Sequence, residues 1–214
     1  MKPLGILGGT FDPIHHGHLR PAQEILRALD LAEVRLIPAF IPPQRRPPVA
    51  TVEQRLRMTE LAVADMPGFR VDDREIRRRG PSYTVLTLES LRQELGARSL
   101  CLLLGMDAFQ DIESWHQWQR LPELANFIVM TRPGWAMPTV ADLASWARDR
   151  LARSPDELAQ SAAGRIFLQT VSPQDISATA VRAALASGKP VDSLLPHSVL
   201  EYIRTHRIYL SRKN

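Results

Sequence analysis

What most constrains the fold is the alternation of short apolar runs with helically spaced segments along most of the chain. Leu4 to Leu7 ends in Gly8-Gly9, and after a turn-rich stretch Gly17 to Leu29 sets Leu19, Ala22, Ile25, Leu26 and Leu29 at helical spacing. Val34 to Pro38 reads as a strand, Thr51 to Met66 as a helix, Phe69 to Val71 as a short strand, and about Ser82 to Leu95 as a helix. A buried strand, Leu100 to Leu104, leads through short helices around Ala108 and Trp118 to a strand over Asn126 to Thr131. A last strand, Arg165 to Thr170, precedes two closing helices, Ser177 to Ala186 and Leu194 to His206. Alternating strands and helices predict an α/β protein: a Rossmann-like open parallel sheet with helices on both faces. Residues 177–214 would add a small C-terminal helical part.

At 214 residues the chain suits one domain, 1–214, with one well-buried core. Residues 134–164 read as a variable excursion with a helix over Val140 to Arg153. Pro42-Pro43-Gln44-Arg45-Arg46-Pro47-Pro48 is too proline-rich for a helix or central strand and predicts a stiffened surface loop at a strand's carboxyl end, the side where open parallel sheets bind ligands. No apolar run approaches the roughly 20 residues that span a bilayer, and MKPLGILGG lacks the apolar stretch of a secretory signal. The expectation is a cytoplasmic protein with no membrane partner. The single cysteine, Cys101, excludes an intramolecular disulfide and a cysteine metal cluster. An excess of 27 Lys+Arg over 23 Asp+Glu favours anionic partners, while the run Arg77-Arg78-Arg79 reads as a solvated basic turn without a role.

The chemistry concentrates where the first strand meets the first helix, in Gly8-Gly9-Thr10-Phe11-Asp12-Pro13-Ile14-His15-His16-Gly17-His18. Glycines let backbone approach a polyanion, and free N–H groups at a helix start favour negative charge there. His15 and His18, three apart, can offer two donors to one group. Neither G-x-G-x-x-G nor G-x-x-x-x-G-K-[ST] occurs, which removes two familiar phosphate-binding classes.

GGTFDPIHHGH resembles the first signature of the H-x-G-H nucleotidylyltransferases, with His15 and His18 matching its histidines. Ile176-Ser177-Ala178-Thr179-Ala180-Val181-Arg182 resembles their second signature, I-S-x-T-x-x-R. Ser177 can cap a helix and present its hydroxyl to phosphate, and Arg182 can extend a forked cation toward the same oxygens. Within that superfamily, Leu4 to about Tyr209 is similar to the nicotinate mononucleotide adenylyltransferases, least so through 134–164. Pro81-Ser82-Tyr83-Thr84-Val85-Leu86-Thr87-Leu88 is similar to their S-Y-T-x-x-T-L segment, which receives the nicotinate carboxylate. Leu104-Gly105-Met106-Asp107 resembles their G-x-D block, followed by the aromatic Trp115-His116-Gln117-Trp118.

The resemblance implies a nucleotidylyltransferase-type sheet and transfer of adenylate from ATP to nicotinate mononucleotide, with release of pyrophosphate. It implies His15, His18 and Arg182 as catalytic donors to the triphosphate. Gly8, Gly9, Thr10, Phe11, Gly17, Gly105, Asp107, Ile176, Ser177 and Thr179 would bind ATP. Arg45, Tyr83, Thr84, Trp115 and Arg132 would bind the acceptor, Trp115 stacking on the pyridine ring for about 0.5–1.5 kcal/mol beyond burial. Trp118 reads instead as a core residue. Where the family's proline loop carries His-Lys or His-Arg, this chain has Gln44-Arg45, so Gln44 is left out of the site. Mg²⁺ would ride mainly on the ATP phosphates, with no protein metal cage. A phosphopantetheine adenylyltransferase is the nearest rival, opposed by SYTVLTL, Trp115 and the chain's length. An H-x-G-H aminoacyl-tRNA synthetase would need further domains, and a nucleic-acid-binding module lacks a recognised motif. The partners expected are therefore ATP and nicotinate mononucleotide, with no nucleic acid and with a homo-oligomer left open.

Overall fold

The computed structural model describes residues 1–43, 47–131 and 141–210. Six strands, β1 (Leu4–Gly9), β2 (Glu33–Pro38), β3 (Phe69–Val71), β4 (Leu100–Gly105), β5 (Asn126–Thr131) and β6 (Ile166–Thr170), form one sheet in the order β3-β2-β1-β4-β5-β6. Leu4 faces Leu100 where β1 and β4 run parallel, Leu102 faces Phe127, and Phe127 faces Ile166. The chain thus has the Rossmann-like α/β fold that the alternation predicts. β4 is buried from Leu100 to Leu104, as its unbroken apolar run requires of a strand covered on both faces.

Ten helices occur among the described residues: α1 (His16–Ala28), α2 (Val52–Val63), α3 (Arg74–Arg78), α4 (Thr84–Leu95), α5 (Met106–Gln110), α6 (Leu121–Leu124), α7 (Ala141–Arg148), α8 (Pro155–Gln160), α9 (Ala178–Ala186) and α10 (His197–Thr205). None is long and apolar enough to cross a membrane. Their ends follow local chemistry. Thr51 caps α2 in a reciprocal box with Gln54, and Gly96, at φ 55°, closes α4 by donating its N–H to the Arg92 carbonyl.

Two helices depart from the sequence expectations. The arginine run is not a bare turn: α3 occupies Arg74–Arg78, Arg74 pairs with the buried Asp72 at 2.7 Å, and Arg77 pairs with Asp73 at 2.7 Å. Charge pairing outweighs the lack of an apolar period. Within 134–164, α7 stops at Arg148 and a separate α8 starts at Pro155 behind Ser154. Residues 132–140 lie outside the described residues.

The chain comprises two compact units. One contains Met1–Leu7, Ala22–Arg35 and Tyr83–Pro173; the other contains Gly8–Pro21, Leu36–Ser82 and Gln174–Asn214. The first is built on Leu4, Ile25, Leu88, Leu102, Phe127 and Ile166, all essentially buried. Trp118 meets Trp146 edge-on at 5.5 Å between ring centres but is only half-buried, so it is not the core residue the sequence suggests: it sits in a short 3-10 turn, Trp118–Arg120, that buries none of its residues. In the second unit α2 packs on α10, and Ser198 donates its hydroxyl to the Leu61 carbonyl at 3.0 Å.

Candidate functional site

In the second unit the chain leaves β1 through Gly8, where a Cβ would meet open space, and Gly9, where it would fall 2.6 Å from the Phe11 ring. Phe11 sits at φ 48° with its ring buried, so its side chain supports the loop from beneath. The Thr10 carbonyl accepts from Arg55 Nη1 at 2.7 Å. The His15 carbonyl then accepts from the N–H groups of His18 (2.9 Å) and Leu19 (3.3 Å), opening α1.

The two signature histidines lie against each other, ring centres 3.8 Å apart at 27°. The His15 N–H donates to His18 Nδ1 at 3.3 Å. That bond assigns Nδ1 of His18 as acceptor, so neutral His18 carries its proton on Nε2. His15 is only 4% exposed, and its Nδ1 is buried without a hydrogen-bond partner. Burial, with His16 as the smaller cause, pushes its pKa down to about 4, so at neutral pH its ring is uncharged and offers one donor. Gly17 is required here. A Cβ would lie 2.9 Å from Cε1 and Nδ1 of His15 and 2.9 Å from the Ile176 carbonyl oxygen. The two signatures, some 160 residues apart in sequence, therefore meet over one Cα.

From Ile176 the second signature enters α9. The Ser177 hydroxyl caps it by accepting from the Ala180 N–H at 3.2 Å. Arg182 projects from the next turn, its Nη1 donating to the Asp12 carbonyl at 2.7 Å and its Nη2 to the Thr179 hydroxyl at 3.3 Å. The second unit thus gathers Gly8, Gly9, Thr10, Phe11, His15, Gly17, His18, Ile176, Ser177, Thr179 and Arg182 around the start of α1.

Three residues that the sequence reading left without a role brace this loop. Asp12, 5% exposed, accepts from the Val49 and Ala50 N–H groups at 2.9 and 3.0 Å and from the Tyr209 hydroxyl at 2.7 Å. Arg55, 1% exposed, reaches the Phe40 carbonyl at 3.2 Å as well as Thr10, and burial lowers its pKa. A signal for Arg55 exists: it stands in register with Met58, Thr59 and Ala62, the buried stripe of α2. Tyr209 carries no such signal.

In the first unit, Gly105 ends β4 in a position where a Cβ would meet nothing, and Asp107 is exposed in the first turn of α5. Tyr83 precedes α4 and Thr84 begins it. The Tyr83 ring stacks on His116 at 4.2 Å and 26°, a contact that the sequence reading did not anticipate. Trp115 is half-buried just after a 3-10 turn, Ile112–Ser114. Gln44, Arg45 and Arg132 lie outside the described residues. Among the described residues no group of three His, Cys, Asp or Glu is arranged to hold a metal ion.

The family model of cytidylyltransferase-like proteins matches residues 6–184. A probable nicotinate-nucleotide adenylyltransferase of Aeromonas hydrophila is 49% identical over 207 residues, 97% of each chain. One from Halorhodospira halophila is also 49% identical, over 95% of this chain and 93% of its own. Among solved structures, the nicotinic acid mononucleotide adenylyltransferase of Plasmodium falciparum, complexed with NaAD, superposes with a TM-score of 0.73 over 98% of both chains. At 16% identity that likeness is one of fold.

Proposed function

We propose, from the premise that this chain belongs to the nicotinate-nucleotide adenylyltransferase family of cytidylyltransferase-like proteins, that His15, His18 and Arg182 hold the ATP triphosphate during adenylyl transfer. The reaction joins ATP to nicotinate mononucleotide and yields nicotinate adenine dinucleotide and pyrophosphate, a step of NAD biosynthesis. The acceptor's 5′-phosphate oxygen forms a bond to the α-phosphorus while the bond from that phosphorus to the bridging oxygen breaks in line. Pyrophosphate leaves with the electron pair. Such chemistry asks a protein to position the reactants and to stabilise charge developing on the transferred and leaving groups.

The observation that carries the assignment is the meeting of both signatures at Gly17, which sets a neutral His15, its neighbour His18 and the start of α9 around one point. A neutral His15 suits a site that also holds Arg182, because it adds a hydrogen bond without adding like charge beside it. Gly8, Gly9, Thr10, Phe11 and Gly17 would present backbone to the phosphates, with Ile176, Ser177 and Thr179 closing from the second signature. Gly105 and Asp107 would hold the adenosine, and Arg45, Tyr83, Thr84, Trp115 and Arg132 the acceptor. Mg²⁺ belongs to the substrate, borne by phosphate oxygens and water. The cytoplasm is the compartment this reading assigns.

The experiment is pyrophosphate release from ATP and Mg²⁺ with nicotinate mononucleotide, nicotinamide mononucleotide and phosphopantetheine offered separately. Turnover with the first and little with the others is expected. Turnover with phosphopantetheine alone overturns the acceptor, and silence with all three overturns the reaction.

A further inference from the structure

The Asp12 carboxylate is a four-way junction inside the second unit. Its Oδ1 accepts from the Ala50 N–H (3.0 Å) and the Tyr209 hydroxyl (2.7 Å). Its Oδ2 accepts from the Val49 N–H (2.9 Å) and stands 3.7 Å from Arg182 Nη1, which bonds instead to the Asp12 carbonyl at 2.7 Å. A carboxylate this close to a guanidinium would ordinarily swing into a short, charge-assisted pair. Here the two amides and the phenol occupy three of its roughly four lone-pair sites and fix its rotation. Among the described residues Arg182 is left with a backbone bond, a hydroxyl bond and a long 3.7 Å pairing with Asp12. Burial and the facing Asp12 push the Tyr209 pKa up, so the phenol keeps its proton and remains a donor.

We propose that Tyr209 is a positioning residue for the triphosphate site: by holding the Asp12 carboxylate in place, it keeps Arg182 available to phosphate. The inference rests on Arg182 contacting the triphosphate, as assigned above. Without the phenol, Oδ1 retains one amide, and the carboxylate can turn toward Arg182 and compete with the nucleotide for it.

Tyr209→Phe keeps the ring and removes only the donor. Loss of one such bond should lower kcat/KM for ATP about three- to tenfold, with KM for nicotinate mononucleotide unchanged. The decisive measurement is the double-mutant cycle with Arg182→Gln: once the guanidinium is gone, Tyr209→Phe should have no further effect on kcat/KM. A tyrosine that merely anchors its segment would lower Tm equally in both backgrounds, with rate effects that add or are absent. Additive or absent rate effects overturn the proposal. If Tyr209→Phe does not fold, Asp12→Asn is made instead: it removes the charge that would compete for Arg182, so ATP should bind as tightly as to wild type or more tightly by calorimetry, and binding weakened equally with Arg182 present or replaced by Gln overturns the proposal. If wild-type protein shows no turnover with any acceptor, the functional reading fails, and the cycle is then run on ATP affinity by calorimetry, where coupling still supports the junction and additivity still refutes it.

Discussion

Replacing Gly17 with alanine tests the central geometry with one carbon. Its Cβ would sit 2.9 Å from the His15 ring and from the Ile176 carbonyl oxygen, about 0.5 Å inside the 3.4 Å at which ordinary contact begins. Neither neighbour yields freely, because the ring is buried against His18 and the carbonyl is backbone at the entrance to α9. Overpacking of this kind costs about 1–3 kcal/mol. Alanine recovers up to about 1 kcal/mol of that through its helix preference over glycine, though less in a first turn. The net loss is about 0.5–2 kcal/mol, and at about 2–4 °C per kcal/mol for a chain of this size Tm should fall by about 1–8 °C. The effect on rate is separate. Displacing a catalytic donor by about 1 Å costs on the order of 10²-fold, so a shift near half that predicts roughly a tenfold fall in kcat. Calorimetry and pyrophosphate release at saturating ATP read the two effects. A variant with wild-type kcat and an equal or higher Tm would refute the claim that both signatures close over this Cα.

Removing a single transition-state donor in His18→Ala should lower kcat by roughly 10²–10³, and a wild-type rate would remove His18 from the mechanism. Because the pKa of His15 falls from 6.5 unfolded to about 4 folded, the unfolded chain binds the extra proton between those values. Folding stability should be undiminished above about pH 6.5 and decline by about 3 kcal/mol as pH falls to 4. Urea unfolding at pH 7.5 and 4.5 measures this, and a slope unchanged in His15→Gln would contradict it. Cys101 is fully buried and burial raises its pKa to about 11, so a disulfide reagent at pH 8 should titrate no thiol in native protein and one per chain in denaturant. Rapid native labelling would show that β4 is not enclosed.

The elements with strong period were legible in the sequence, and so was the opening loop, because a glycine pair, a turn and two histidines before a helix permit few structures. α3 and α8 were not read. α3 owes its place to Asp72 and Asp73 pairing with arginines, which no hydrophobic period reports. α8 had a readable start in Ser154-Pro155-Asp156-Glu157, an N-cap followed by a proline and acidic first-turn residues, but is too short to show a face. Asp12 lay inside a recognised motif yet gained no role, since its partners Val49, Ala50 and Tyr209 are meaningful only once the chain is folded. Arg55 was hidden by its own type: arginine is expected outside, and only its register with Met58 and Ala62 places it in the core.

The bond between Asp12 and Tyr209 joins residues 197 positions apart. On a ribosome adding roughly 5–20 residues per second, about 10–40 s pass between the synthesis of one partner and that of the other. The glycine loop and its histidines emerge first, but the contact that sets the Asp12 carboxylate must wait for almost the last residues described. A nascent chain can therefore assemble much of its sheet before the Arg182 environment is complete.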